Sequence, residues 1–218
     1  MDTRTNEICM INSMEKNNRI PFGLVASHPN YWQLSDTDES ISARALPQSD
    51  LYCNPKNGFA TDAASVLNAL TLSGLPEGKD LQISARVAVD FNSAYDAGAL
   101  LIWFNDRTWA KLCFEYSPDG EAMVVSVVTR GASDDVNSYT VPIHQTWLRI
   151  SRIEHVYAFH ASDDGKTWKL IRAFTMGEDV TAHRVGFVAQ APVGDGCQVA
   201  FEEICFSYTT LAELRDGS

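Results

Sequence analysis

Residues 80–91, DLQISARVAVDF, place Leu81, Ile83, Ala85, Val87, Val89 and Phe91 at every second position, opposite Gln82, Ser84, Arg86 and Asp90. Side chains alternate across a β-strand with period two, so this pattern describes a half-buried strand and not a helix. The alternation recurs at 99–104, 109–116, 123–130, 147–153, 156–162, 168–174, 185–191 and 198–208. Asn105-Asp106-Arg107-Thr108 and Ser117-Pro118-Asp119-Gly120 are short polar connections of the kind that join antiparallel neighbours. About nine or ten strands are expected from residue 80 on, with no sustained apolar period near 3.6 among them. Many short strands spaced by Gly, Asp and Pro imply an all-β two-layer sandwich or a closed barrel, with a helix content under about a tenth.

Upstream, residues 30–34, 40–46 and 64–72 read as further strands, and Cys53 to Asp62 as an ordered loop. No repeat or Pro/Ser linker divides the chain. The expected organisation is a ragged segment over residues 1–20, one β-sandwich domain over 21–208 and a short polar tail over 209–218. At 218 residues the chain is long enough to bury about 70% of its surface without disulfide staples.

Seventeen Lys and Arg against 28 Asp and Glu give a net charge of −11, which opposes binding to nucleic acid or to anionic membranes. The five cysteines, Cys9, Cys53, Cys113, Cys197 and Cys205, form no metal-ligand spacing and cannot all pair within the chain, so they are expected as reduced thiols. Residues 1–16 carry charges and no apolar core of a secretory signal, and no apolar window reaches the ~18 residues of a membrane span. A cytoplasmic location is the expectation.

Three pieces occur in order between Asp96 and Asp135: DAGALLIW, TWAKLCFEY and SVVTRGASDD. In this they resemble the DUF1349 family, also labelled the regulation-of-enolase-protein family. The matching positions are Asp96, Trp109, Lys111, Glu115, Val127, Val128, Thr129, Ser133 and Asp134. Two departures stand out: Ala97-Gly98-Ala99-Leu100 shifts the Asp–Gly spacing, and Asp135 stands where the family often has tryptophan. The later runs LRISR, SDDGKTW and GFVAQAPVGDGCQVAFEEI are similar to the family's later strands. The resemblance implies a concanavalin A-like β-sandwich, or jelly roll, of two curved antiparallel sheets. It implies little about activity, since that fold hosts lectins, glycosidases and inert modules alike.

In a regular strand over 109–116, Trp109, Lys111, Cys113 and Glu115 share one face at intervals of about 7 Å, while Ala110, Leu112, Phe114 and Tyr116 share the other. An indole plate, an ammonium and a carboxylate in line suit a sugar ring, whose C–H face stacks on the aromatic while its hydroxyls bridge the charges. The same residue types also describe a Lys–Glu pair on a solvated face with a covering Trp. Arg130 and Arg149, with Arg152 and Arg172, lie in or beside strands and suit a carboxylate-bearing ligand, or ordinary pairing with Asp134 and Asp135. The expected ligand-binding set is Trp109, Lys111, Glu115, Arg130 and Arg149 on the concave sheet.

Ser162-Asp-Asp-Gly-Lys-Thr-Trp168 is similar to the Asp-box of sialidase-like proteins with one residue deleted, and reads as a hairpin turn backed by Trp168. The five histidines have no zinc spacing, and no carboxylate ladder for calcium exists, so neither metal nor cofactor is expected. Three functions remain: a non-catalytic carbohydrate-binding protein, a regulator acting on a protein partner, and an enzyme on a sugar or sugar-acid derivative with Glu115 as acid/base. A glycosidase needs a second carboxylate, for which Glu203 and Asp96 are the pairs to try. Thiol titration in denaturant without reductant should find all five cysteines free; fewer would mean an intrachain or mixed disulfide.

Overall fold

Each alternating segment buries one face by pairing with its neighbours, and the result is two antiparallel sheets packed face to face. In the computed structural model the described residues are 20–35, 40–55, 65–78, 80–142, 144–177 and 183–218. The early strands are β1 (Val25–Ala26), β2 (Trp32–Leu34), β3 (Ile41–Arg44), β4 (Leu51–Tyr52), β5 (Val66–Leu67) and β6 (Leu70–Gly74). Long strands follow: β7 (Leu81–Asp90), β8 (Ala97–Asn105), β9 (Thr108–Tyr116), β10 (Ala122–Arg130) and β11 (Ser133–Thr140). The last five are β12 (Gln145–Ile153), β13 (Val156–Ser162), β14 (Lys169–Thr175), β15 (Arg184–Gln190) and β16 (Gln198–Ser207). The first sheet has the order β1-β6-β15-β8-β9-β10-β11 and the second β14-β13-β12-β7-β16-β3-β2. A short β4–β5 ribbon forms a third, two-stranded sheet.

The inward face of β7 is the one its alternation specified: Leu81, Ile83, Ala85, Val87 and Val89 are buried. They pack against Leu100, Ile102, Ala110, Leu112, Phe114, Phe187 and Phe201 in the core between the sheets. Gly98 faces this core where a Cβ would lie 2.5 Å from Val199 and 2.8 Å from Val87, so the close approach of the sheets there requires glycine.

Four features differ from the sequence expectation. β11 lacks alternation because it is an exposed edge strand, whose carboxylates Asp134 and Asp135 protect an otherwise open ladder. Residues 65–72 divide between β5 and β6, since Asn68 and Ala69 turn to donate both amides to the Asp50 carbonyl. Residues 209–218 are not a free tail; they lie on the outer face of the second sheet with Leu211 buried. In the 162–168 turn the indole against Gly165 (φ +71°) is Trp147 and not Trp168, which stacks instead on Arg149. Asp164 organises that turn by accepting the Lys166 and Thr167 amides.

Cys53, Cys113 and Cys197 are buried free thiols, and Cys205 is partly buried. Residues 1–19, including Cys9, and 56–62 of the expected loop lie outside the described residues. Leu112 is fully buried between the sheets, so Leu112→Ala should lower stability by about 2–5 kcal/mol in urea denaturation. A loss under ~1 kcal/mol would show that the strand faces the other way.

Candidate functional site

Strand register arranges the outward residues of the first sheet in rows. One row runs Gln190, Ala97, Glu115, Met123, and the next Val188, Ala99, Cys113, Val125, Asn137. The third is Gly186, Leu101, Lys111, Val127, Asp135, and the fourth Arg184, Trp103, Trp109, Thr129, Ser133. This face is half covered. Leu51, Cys53 and Ala69, in and beside the β4–β5 ribbon, pack on Leu101, Trp109, Cys113, Val125, Val127 and Val188 as a second apolar cluster. Ser133 fixes the ribbon's end, its hydroxyl accepting the Cys53 amide and its amide donating to the Cys53 carbonyl.

Lys111 is only 3% exposed. Its chain lies over the small residues of β8, and the ammonium donates to Gln190 Oε1 at 2.7 Å and to Asp50 Oδ1 at 3.1 Å. Two of three N–H donors are thereby used. Gln190, itself 2% exposed, donates from Nε2 to the Tyr95 carbonyl and so ties a loop to the same centre. That loop is held by Asp96, which is fully buried and accepts the Asn92 and Ser93 amides at Oδ2 at 2.8 and 2.9 Å.

Beside the ribbon a cleft of about 480 Å³ opens over Val125 and Val127. Its polar walls carry Asp50, Lys111, Glu115, Asp135, Asn137 and Gln190, and Tyr52 and Tyr95 supply ring surface. Burial pushes Glu115 up to about 8, against the pull of Lys111 and with the help of Asp50 and Asp135. Its carboxyl makes no hydrogen bond among the described residues, and the upward shift favours the protonated form at neutral pH. Burial also raises Asp135. For Lys111 burial acts downward, but Asp50, Cys113 and Glu115 outweigh it and the ammonium is raised above its usual value. Burial drives Cys113 well above the ordinary thiol range, which makes it an inert thiol and not a nucleophile.

Of the residues expected together, the structure joins Lys111 and Glu115 in one cleft. Trp109 does not line it: the indole is fully buried under the ribbon, stacked at 13° on Trp103, with the Lys111 ammonium 5.8 Å above. Arg130 is exposed at the end of β10 and donates to the Thr175 carbonyl. Arg149 belongs to the second sheet. Glu203 also lies on that sheet, bound to Arg86 and Trp147, and Asp96 is spent on its loop, so neither forms a carboxylate pair with Glu115. Asp50, Tyr52, Tyr95, Asn137 and Gln190 were not legible as site residues; only Gln190, a polar break at the end of an apolar strand, gave a signal. Among the described residues no group of three or more His, Cys, Asp or Glu side chains could hold a metal ion.

Because the fold raises Glu115 from 4.5 to about 8, the native state holds a proton that the unfolded chain has released, and stability falls as pH rises through that interval. Glu115→Gln should flatten this loss in urea denaturation series from pH 5 to pH 8. An unchanged slope would show that Glu115 is ionised in the fold.

A family model described as "Protein of unknown function (DUF1349)" matches residues 25–209. The chain is 30% identical over 172 residues to "Regulation of enolase protein 1" of Saccharomyces cerevisiae, covering 78% of this chain and 83% of the relative. A solved structure of a functionally unknown protein from Saccharomyces cerevisiae superposes with TM-score 0.71 at 25% identity, over 82% of this chain and 92% of that one. The Bacteroides ovatus xyloglucan PUL GH43B structure superposes with TM-score 0.68 at 13% identity, over 94% of this chain but 42% of that one, which shows a shared fold alone. With its sandwich and the greater part of its length matched, the chain belongs to the DUF1349 family.

Proposed function

We propose that the cleft beside the β4–β5 ribbon binds a neutral carbohydrate without chemically changing it. The observation that carries this reading is the wall composition. Amides, carboxylates and, among the described residues, one ammonium surround an apolar floor, with two tyrosines at the sides. Hydroxyls use such donors and acceptors in both directions, and the C–H faces of a sugar ring pack on valine and tyrosine. The volume of about 480 Å³ falls in the range of roughly 300–1,000 Å³ usual for small-ligand sites. Among the described residues, three carboxylic groups around a single lysine disfavour a sugar acid, and no arginine lines the cleft to receive one.

A role in regulation, as the name of the yeast relative states for that protein, would follow if ligand in the cleft alters the ribbon that Asp50 pins to Lys111. Such a protein would act in the cytoplasm on a protein partner. One observation favours a second reading, a carbohydrate-active enzyme: Glu115, raised to about 8, has the protonation a general acid needs. Asp135 is then the carboxylate nearest to hand in the same cleft, since Asp50 is committed to Lys111.

A glycan array followed by calorimetry tests the binding reading. Asp135→Asn and Tyr95→Ala should each weaken the sugar identified by about 1–3 kcal/mol, the scale of a residue central to a desolvated contact, while leaving thermal stability nearly unchanged. Release of reducing sugar that Glu115→Gln abolishes would favour the enzyme; binding insensitive to both cleft variants would place the ligand elsewhere.

A further inference from the structure

Arg149 is 7% exposed and has no carboxylate within ion-pair distance among the described residues. Arg86 meets Glu202 and Glu203, Lys111 meets Asp50, Lys169 meets Asp163 and Arg172 meets Asp134, whereas Arg107, Arg130, Arg152 and Arg184 donate to neutral acceptors as Arg149 does but are not buried. The Arg149 guanidinium stacks on Trp168, 4.2 Å from the ring centroid, which leaves its edge open to acceptors in the plane. On that edge Nη2 donates to the carbonyl of Gly217, and Nε has no partner. Burial alone lowers its affinity for its proton, to a pKa of about 10, with no neighbouring acid to restore it.

Two more buried polar groups share this face. His160, directly opposite Arg149 in the β12–β13 register, is 0% exposed; its Nε2 meets the Leu214 carbonyl at 2.8 Å and its Nδ1 has no partner. Ser151, two residues beyond Arg149 and 1% exposed, has an unpartnered hydroxyl. All three lie on the outer face of the second sheet, where residues 209–218 cross it.

That segment is fastened lightly. Leu211 and Gly217 are its buried residues, and side chains hold it through the Thr209, Leu214 and Gly217 carbonyls and a Thr210–Asp80 hydrogen bond. Its loop closes on itself through the Ala212 and Glu213 amides to the Ser218 carbonyl. Its acids are turned to its own backbone, Glu213 accepting the Arg215 amide and Asp216 the Ser218 amide. A guanidinium edge is shaped to take both oxygens of one carboxylate, and here it holds one neutral carbonyl.

We propose that Arg149, with the Ser151 hydroxyl on the same strand face, forms a second ligand site, for the carboxylate of a small organic acid, over which residues 209–218 lie as a displaceable strap. The acid takes the Nε/Nη2 edge of Arg149, and Gly217 leaves that edge when it binds. The site is independent of the cleft on the first sheet and of what binds there.

The test uses the full chain, with sodium acetate as probe and sodium chloride at matched ionic strength as control, read by the indole N–H resonance of Trp168. Acetate should shift this resonance saturably and chloride should not. Leu211→Ala, which loosens the strap, should tighten acetate binding at least threefold, because a competing occupant is weakened. Arg149→Lys, which keeps the charge and loses the fork, should weaken it at least tenfold. A peptide with a single glutamate binding more tightly than acetate would keep the carboxylate site and assign its source to a polypeptide. Equal shifts with chloride, no saturable shift in Leu211→Ala, or unchanged binding in Arg149→Lys would each overturn the proposal, leaving buried water as the partner of these groups.

Discussion

A lysine buried on the outer face of a sheet must be given partners, and the site follows from the partners Lys111 is given. Its ammonium draws Asp50 down from the ribbon and Gln190 across from β15, and Gln190 in turn holds the loop that presents Tyr95. A buried charge left unpaired costs about 3–5 kcal/mol, so the ribbon and the loop are fixed to the sheet by an electrostatic requirement as much as by apolar contact. The cleft is the space left beside that ribbon.

The same requirement explains why Trp109 is structural. Lys111 could not lie flat over β8 if bulky residues stood in its path, and Ala97 and Ala99 keep the path clear. The space beneath the ribbon is filled instead by Trp109 and Trp103, stacked together and covered by Leu51 and Cys53. Apolar filling at one end of the strand face and polar groups at the other divide a single row of alternating residues into a small core and a cleft.

The two sheets are closed on their outer sides by different means. The first is covered by an apolar ribbon with an ion pair at its margin. The second is crossed by residues 209–218, which meet buried polar side chains mostly through carbonyl groups. Carbonyls satisfy arginine less completely than carboxylates do, and Arg149 Nε, His160 Nδ1 and Ser151 Oγ on this face are left unpartnered.

Period-two patterning by itself determined the architecture. Where one face of a strand is buried and the other half exposed, as in β7, a register slip would turn every apolar side chain outward, so alternation names both strand and face. That was enough to put Leu112 in the core and Lys111 with Glu115 on the opposite face. It failed at β11, an edge strand whose exposure leaves no pattern to read, and at residues 209–218, whose polar composition conceals contacts made by backbone carbonyls. Only the tertiary structure decided which outward residues meet. Asp50 and Gln190 lie 61 and 79 residues from Lys111 in sequence, and Arg149, a member of the expected ligand set, sits on the other sheet. Strand parity is a local property of the chain; which strands become neighbours, and which loops fold over them, is set by long-range packing of the two sheets.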